Sequence, residues 1–329
     1  MARSPFADQA CAEQPASLTI TRRRLLGTLP ALCAGLVALP RLAFAQGPGV
    51  RAYHDASAAD HQKQFDAPDG LLKKGYRIRS LSVYRNAGAT LYAAVWIDVK
   101  GPAWRAFHGL SPSDYQAYFN DATSKGFRPT IITATGGGTV GGNQTNTSTF
   151  AGVFEQDATP FVAKHGIDGP TFRDTCDWAR QHQHVLECAT IYGGMNRLHA
   201  GVWERAPNVK WDYKITAAID GPDLAIPLTM PGNDALRLAY VTRSPFGEYL
   251  TVYRSDVPVG QSIVKGGMTS SQYQTQFTAI TAKGLMPVCV QAGGDPRVGP
   301  PVFAALFRKH TIKLAPGLKG IESQPRIER

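Results

Sequence analysis

A few short stretches carry residue types that could do chemistry. Ser262-Ile263-Val264-Lys265 has the S-x-x-K spacing in which a lysine sits beside a serine nucleophile. That chemistry needs the serine at a helix N-terminus, and this tetrapeptide falls instead on a strand, where other copies of a repeat carry Trp104 and Trp211. Gly136-Gly137-Gly138-Thr139-Val140-Gly141 formally matches G-x-G-x-x-G. A dinucleotide fingerprint must open a helix, whereas this run continues through Asn143 to Thr149 into another strand and reads as a hairpin insertion. His182 and His184 stand two apart near a strand start, close in sequence to His199. Two imidazoles on one strand face can share a metal, but no acidic or cysteine partner at ligand spacing accompanies them. His108 and His165 each precede a glycine where a strand gives way to a helix, and a histidine that recurs in this way points to packing or turn formation. Cys176, Cys188 and Cys289 include no C-x-x-C pair, which excludes a zinc ribbon or thioredoxin-type motif. No catalytic, cofactor-binding or metal-binding residue is assigned from spacing.

The elements that must position these residues are repeats. Tyr92–Trp96 reads YAAVW, and the same bulky-ended pattern returns at Phe150–Phe154, His199–Trp203, Tyr249–Tyr253 and Phe303–Phe307. The interval is about 50 to 60 residues, the range of propellers, solenoids and arrays. Ahead of each pentapeptide lies a helix signal. Ser111-Pro112-Ser113-Asp114-Tyr115 has an N-cap serine with proline at N1, and Tyr115 and Phe119 share a face. Ser57 to Phe65 and Thr269 to Phe277 repeat the frame, while Asp168–Phe172 and Asp220–Leu224 are degenerate versions, so five helices are expected. The helices stop at Lys74-Gly75, Lys125-Gly126 and Lys283-Gly284, a lysine in the last turn followed by a left-handed glycine cap.

A second strand follows as the pentapeptide, and a third carries Trp104, Phe161 or Trp211. The expected class is an α+β repeat protein of about five helix-plus-three-strand units, near 54–109, 110–166, 167–217, 218–267 and 268–315, in a propeller-like ring or open arc. Small residues inside the pentapeptides, such as Gly152 and Gly201, leave room for a neighbouring backbone. Cys176 aligns with the helix position of Phe119, and Cys188 with Ile131 on the following strand. They are expected either to meet as a disulfide, which an oxidising compartment permits, or to stay as two buried thiols.

The segments SPSDYQAYFNDATSKGFRPT and GYRIRSLSVYRNAGATLYAAVW resemble the bacterial tandem repeat domain family, which is similar to the N-terminal repeat domain of fungal polyglycine hydrolases. In those hydrolases the proteolytic serine belongs to a separate β-lactamase-like domain, so the resemblance implies the repeat fold and no catalytic residue.

Residues 1–45 read as an export address. Arg22-Arg23-Arg24 leads into an apolar run from Leu25 to Leu39, and Ala43-Phe44-Ala45 has the A-x-A form of a signal-peptidase site. The run is about fifteen residues, short of the ~20 that span a bilayer. The paired arginines indicate the twin-arginine route, so cleavage before Gln46 and a periplasmic or secreted single repeat domain over 46–329 are expected. The chain carries a formal net charge of +10; without the leader about +7 remains, with no clustered basic block of the kind nucleic-acid binding requires. Variable loops on a repeat scaffold make a contact surface. The expected function is therefore a noncatalytic binding or scaffold module for a protein, peptide or glycan, with no cofactor and no membrane span in the mature form. The alternative is an exported serine-type hydrolase, peptidase or esterase, whose residues come from different repeats.

Overall fold

The computed structural model describes residues 43–47, 49–136, 138–140, 143–145, 148–194, 196–216, 225–295 and 299–309, all within the compact unit Pro40–Arg329. Among the described residues four helices form where the caps place them: α1 (Ala58–Asp66), α2 (Pro112–Ser124), α3 (Gly169–Gln181) and α4 (Ser270–Thr281). Ser57, Ser111, Asp168 and Thr269 each accept a backbone N–H of the first turn through their side chains, satisfying one of the donors a helix start leaves free. Two of the expected stops appear, Gly126 and Gly284 following α2 and α4 at φ of 79° and 78°. By contrast, α1 ends early, at Asp66 with Ala67 as its C-cap, and Gly75, at φ 84°, closes a separate turn before the next strand. The helix expected at Asp220–Leu224 lies outside the described residues. Among the described residues no helix is long and apolar enough to cross a membrane.

Five small antiparallel sheets follow from the pentapeptides, each of which forms the middle of its sheet. The first sheet has the order β1 (Ala43–Gly47), β2 (Val50–Ala56), β4 (Ala89–Ile97), β3 (Arg77–Asn86), and the second β5 (Trp104–Leu110), β9 (Thr149–Gln156), β6 (Phe127–Thr135). The hairpin β7 (Gly138–Val140) and β8 (Asn143–Thr145) is inserted before β9. The third sheet runs β10 (Phe161–Ile167), β12 (Arg197–Arg205), β11 (His184–Gly193). In the fourth the order is β13 (Trp211–Thr216), β16 (Tyr249–Arg254), β15 (Asn233–Arg243), β14 (Thr229–Met230). The fifth is β17 (Ser262–Met268), β19 (Gly299–Lys309), β18 (Leu285–Asp295).

The register changes the frame of the repeat. Trp104 pairs with Glu155, Phe161 with Glu204 and Trp211 with Arg254, so the strand expected to close one unit opens the sheet of the next. The repeat is strand, helix, strand, strand. Local pattern marks such a segment as a strand, but which sheet it joins is decided by long-range pairing that alternation does not encode. The expected cleavage point before Gln46 falls inside β1, whose Ala43, Phe44 and Ala45 pair with His54, Tyr53 and Ala52.

Helix and sheet meet through a repeated aromatic stack. His61, Tyr115, Phe172 and Tyr273 lie face to face with Tyr92, Phe150, His199 and Phe303, the first residue of each pentapeptide, at 4.7, 4.9, 4.9 and 5.1 Å between centroids. The last residue receives the next turn: Phe65 on Trp96 at 5.0 Å, Phe119 on Phe154 at 6.0 Å and Phe277 on Phe307 at 6.2 Å. Both ends of every pentapeptide are buried, which makes them core rather than a ligand platform. Such ring pairs add about 0.5–1.5 kcal/mol each beyond burial.

No sheet has a core to itself. One cluster joins the first and second sheets, with Tyr92 and Trp96 beside Ala151 and Val153, and others join the second to the third, the third to the fourth and the fourth to the fifth. The remaining cluster places Val50, Tyr84 and Val95 of the first sheet with Tyr273, Phe303 and Phe307 of the fifth. Cys176 lies in the cluster of the third and fourth sheets and Cys188 in that of the second and third; both are free thiols, so the disulfide alternative is overturned. The space at Gly152 and Gly201 is filled from within their own sheets, by the Ile131 carbonyl with the Phe107 ring and by the Trp203 indole. Close approach between sheets occurs instead on β18, where a Cβ on Gly293 would lie 2.5 Å from the Ser244 carbonyl and one on Gly294 2.2 Å from that of Arg85.

Candidate functional site

The inner strand of each sheet carries one β-bulge at the same place. Register shifts across Arg79 on β3, Thr130 on β6, Glu187 on β11, Ala239 on β15 and Val288 on β18. A bulge re-aims its extra residue, and all five line a single pocket of about 280 Å³. The residue after each bulge turns to a neighbouring sheet. Ser80 Oγ donates to the Val290 carbonyl at 3.1 Å, the Cys289 thiol to that of Val241 at 3.2 Å, and the Tyr240 hydroxyl to that of Ala189 at 3.0 Å. Cys188 bonds the backbone of Ile132 in the same sense.

The central strands complete the pocket. Glu204, Arg254 and Arg308 each follow the bulky last residue of a pentapeptide and reach the same space. Arg254 forks onto Asp256 at 2.9 and 2.7 Å, donates to Glu187 and lies 3.8 Å from Glu204. Arg128 donates to Asp157 at 2.5 Å and lies 3.2 Å from Glu204. The two glutamates are driven apart in acidity. Burial, with the Glu187 charge beside it, pushes Glu204 up to about 7. Burial would raise Glu187 as well, but the charges of Arg254 and Arg79 outweigh it and hold that carboxyl below its ordinary value. Arg308 is drawn down to about 10 by burial and by Arg79. The pocket is thus lined by the acids Glu187, Glu204 and Asp256, of which Glu204 is the one made less acidic, and by three guanidiniums.

A second polar cluster joins the first sheet to the fifth unit. His54 Nδ1 lies 2.9 Å from Asp55 Oδ2 and 3.1 Å from Ser270 Oγ, the Ser270 hydroxyl donates to Asp55, and Tyr84 donates to Asp55 Oδ1 at 2.9 Å. A serine relay needs histidine between serine and carboxylate. Here the serine bonds the carboxylate directly, and the other imidazole nitrogen is taken by Gln274 Oε1 at 3.0 Å. Asp55 stands at φ 56° where Gly109, Gly166 and Gly267 occupy the matching bulge, so its side chain replaces a glycine as a tie across the seam.

The residues singled out by spacing take other places. Ser262 and Lys265 lie on edge strand β17, and the glycine run enters the β7–β8 hairpin instead of a helix. His182 and His184 point Nδ1 at the Trp178 and His182 carbonyls, both at 2.8 Å, while His199 is buried against Phe172. No group of three or more His, Cys, Asp or Glu side chains among the described residues could hold a metal ion. His108 and His165 take the packing role: they meet Gln62 at 2.6 Å and Gln116 at 2.8 Å on the preceding helix. The pocket was missed because the bulge residues are chemically unlike one another. Aligning the residues after the pentapeptides, Ile97, Glu155, Glu204, Arg254 and Arg308, would have shown a mostly charged column next to an invariantly bulky one.

Residues 47–98, 101–157 and 262–310 match the family described as polyglycine hydrolase-like, structural repeat. Their limits coincide with the strand, helix, strand, strand frame of the first, second and fifth units. The chain is thus a tandem-repeat protein, three of whose units are similar to the structural repeat of polyglycine hydrolase-like proteins.

Proposed function

We propose that this chain is an exported, noncatalytic binding or scaffold module whose five units close into a propeller-like ring, with its ligand site in the axial pocket. The observation that carries the reading is the convergence of five equivalent strand bulges on one polar pocket. A purely structural repeat has no need to direct arginines and glutamates into a shared space, since charges at a seam lose hydration for little net gain. Closure is supported by the packing of β3 on both β6 and β18 and by the His54–Gln274 pair, which repeats across the first and fifth units the pairs made by His108 and His165. The ligand class is a protein, peptide or glycan group small enough to enter the pocket. Export rests on Arg22-Arg23 and on Ala43-Phe44-Ala45; replacing Arg22 and Arg23 with lysine should retain the protein in the cytoplasm, and N-terminal sequencing of exported protein should begin at Gln46.

The meeting of Ser270, His54 and Asp55 favours a second reading, an exported serine-type hydrolase with residues from different repeats. Labelling with a fluorophosphonate probe separates the two. The binding-module reading predicts no stoichiometric adduct, and a denaturation-sensitive adduct on Ser270 would replace it with the hydrolase.

A further inference from the structure

Of the three arginines in the axial pocket, Arg254 makes direct ion pairs, whereas Arg79 and Arg308 make none among the described residues and feel the Glu187 and Asp256 charges only from a distance. Arg254 takes Glu187 and Asp256, and Glu204 is shared between Arg254 and Arg128. The carboxylates lining the pocket are thereby committed. Arg79 comes from the bulge of β3 and Arg308 from β19, two strands that pack together across the seam of the first and fifth units. Arg308 donates one Nη2 bond to the Leu238 carbonyl, and its buried Nε has no hydrogen-bond partner. The two guanidiniums are close enough that Arg79 lowers the basicity of Arg308. Like charges that face one pocket, Arg79 exposed at its mouth and Arg308 partly buried with donor atoms still free, are an arrangement that a bound anion relieves. A guanidinium presents a planar fork of donors that matches the oxygens of a carboxylate or phosphate.

We propose that the axial pocket binds a small oxyanion, a phosphate or carboxylate group, held between Arg79 and Arg308. This rests on the reading of the pocket as the ligand site and names the chemistry of what enters it. The pocket, at about 280 Å³, admits the oxyanion together with a small organic body. The polar edge formed by Glu187 and Glu204 lies on the same wall system and disfavours a second negative group, which selects a ligand with its anionic charge at one end.

The test uses the full chain, with inorganic phosphate, acetate and succinate titrated against sodium chloride at matched ionic strength. Melting temperature and calorimetric heat are the readouts. The expected result is a saturable rise of several degrees with phosphate or with the carboxylates and none with chloride; which of them saturates at lower concentration identifies the source of the oxyanion. Arg79→Gln, at an exposed position where folding tolerates it, should weaken that binding at least tenfold, and Arg308→Gln should do the same. Lys283→Gln, an exposed change of equal charge at the far end of α4, should leave it unchanged. Equal effects of chloride and the oxyanions, or parental affinity in Arg79→Gln, overturn the proposal. Ala239→Trp, which fills the pocket from another wall, separates this from failure of the site itself. If the oxyanions do not bind but a peptide or glycan does, and Ala239→Trp abolishes that binding, the pocket remains the ligand site and only the oxyanion assignment falls.

Discussion

His54 and Gln274 lie 220 residues apart in the chain, and their side chains meet at 3.0 Å. The same two residue types meet between consecutive units at His108 and Gln62 and at His165 and Gln116, 2.6 and 2.8 Å apart. A contact of long sequence separation therefore reuses the geometry of the local ones. Gln274→Leu should cost about 1 kcal/mol, the usual net worth of such a bond, and Gln62→Leu should cost a similar amount. Denaturant midpoints of the two variants check this, and a loss confined to Gln62→Leu would show that the long-range pair bears no load.

Trp203 is fully buried, with its indole filling the space beside Gly201. Trp203→Ala should cost about 3–5 kcal/mol, as truncating a buried aromatic does, and Trp96→Ala should be comparable. A parental melting temperature in either variant would move these residues out of the core.

Removing the fifth unit from Ser262 onward should damage two places at once. It strips the partners of Leu238 and Tyr253 on the fourth sheet and of Tyr84 and Val95 on the first. Repeat arrays draw stability from such interfaces, so limited proteolysis should show broad digestion of the truncated chain. A resistant four-unit remainder would contradict the sharing of cores.

These expectations show where the sequence was informative. Cap residues such as Ser111 with Pro112, and aromatic pairs such as Tyr115 with Phe119, place a helix and its buried face through interactions spanning a few residues. The pentapeptides mark central strands because a strand flanked on both sides buries nearly every residue. The owner of the strand that begins at Trp104 depends on its pairing with Glu155 in the next unit, and the bulges at Arg79 and Glu187 depend on how their strands register against Trp96 and Trp203 across the hairpin. Nothing in a local window distinguishes a bulged arginine from a surface one, so the pocket became visible only once the sheets were assembled.

Acidity inside the pocket gives a signed prediction. Glu204 titrates at about 7 against an ordinary 4.5, so folding favours its neutral form. The stability this contributes is complete below the ordinary value and is lost as pH rises through about 7. Glu187, held below its ordinary value, contributes in the opposite sense and is lost only in acid. Glu204→Gln keeps the neutral shape without the titration. Its melting temperature relative to the parent should therefore rise between pH 5 and pH 8, and a pH-independent difference would contradict the assignment.

The thiols offer a check on burial. Cys289 is pushed up to about 11 and Cys176 to about 12 by burial, and Cys188 is raised further still. A thiol-specific colorimetric reagent should find all three unreactive in the native protein at pH 8 and reactive after denaturation. Fast labelling of any one would show that its sheet interface opens.

The pocket exists only if the fifth unit seats on the first, because Arg79 and Arg308 come from the two sides of that seam. The Val290 and Ala292 amides report on it directly, since each donates across the seam, to Ser80 Oγ at 2.9 Å and to Ser82 Oγ at 3.0 Å. Native-state hydrogen exchange resolved at these two residues is the decisive measurement. A closed ring predicts protection equal to that of the in-sheet amides of β19. Exchange at the rate of free amides, with β19 still protected, would show an open arc and contradict the account.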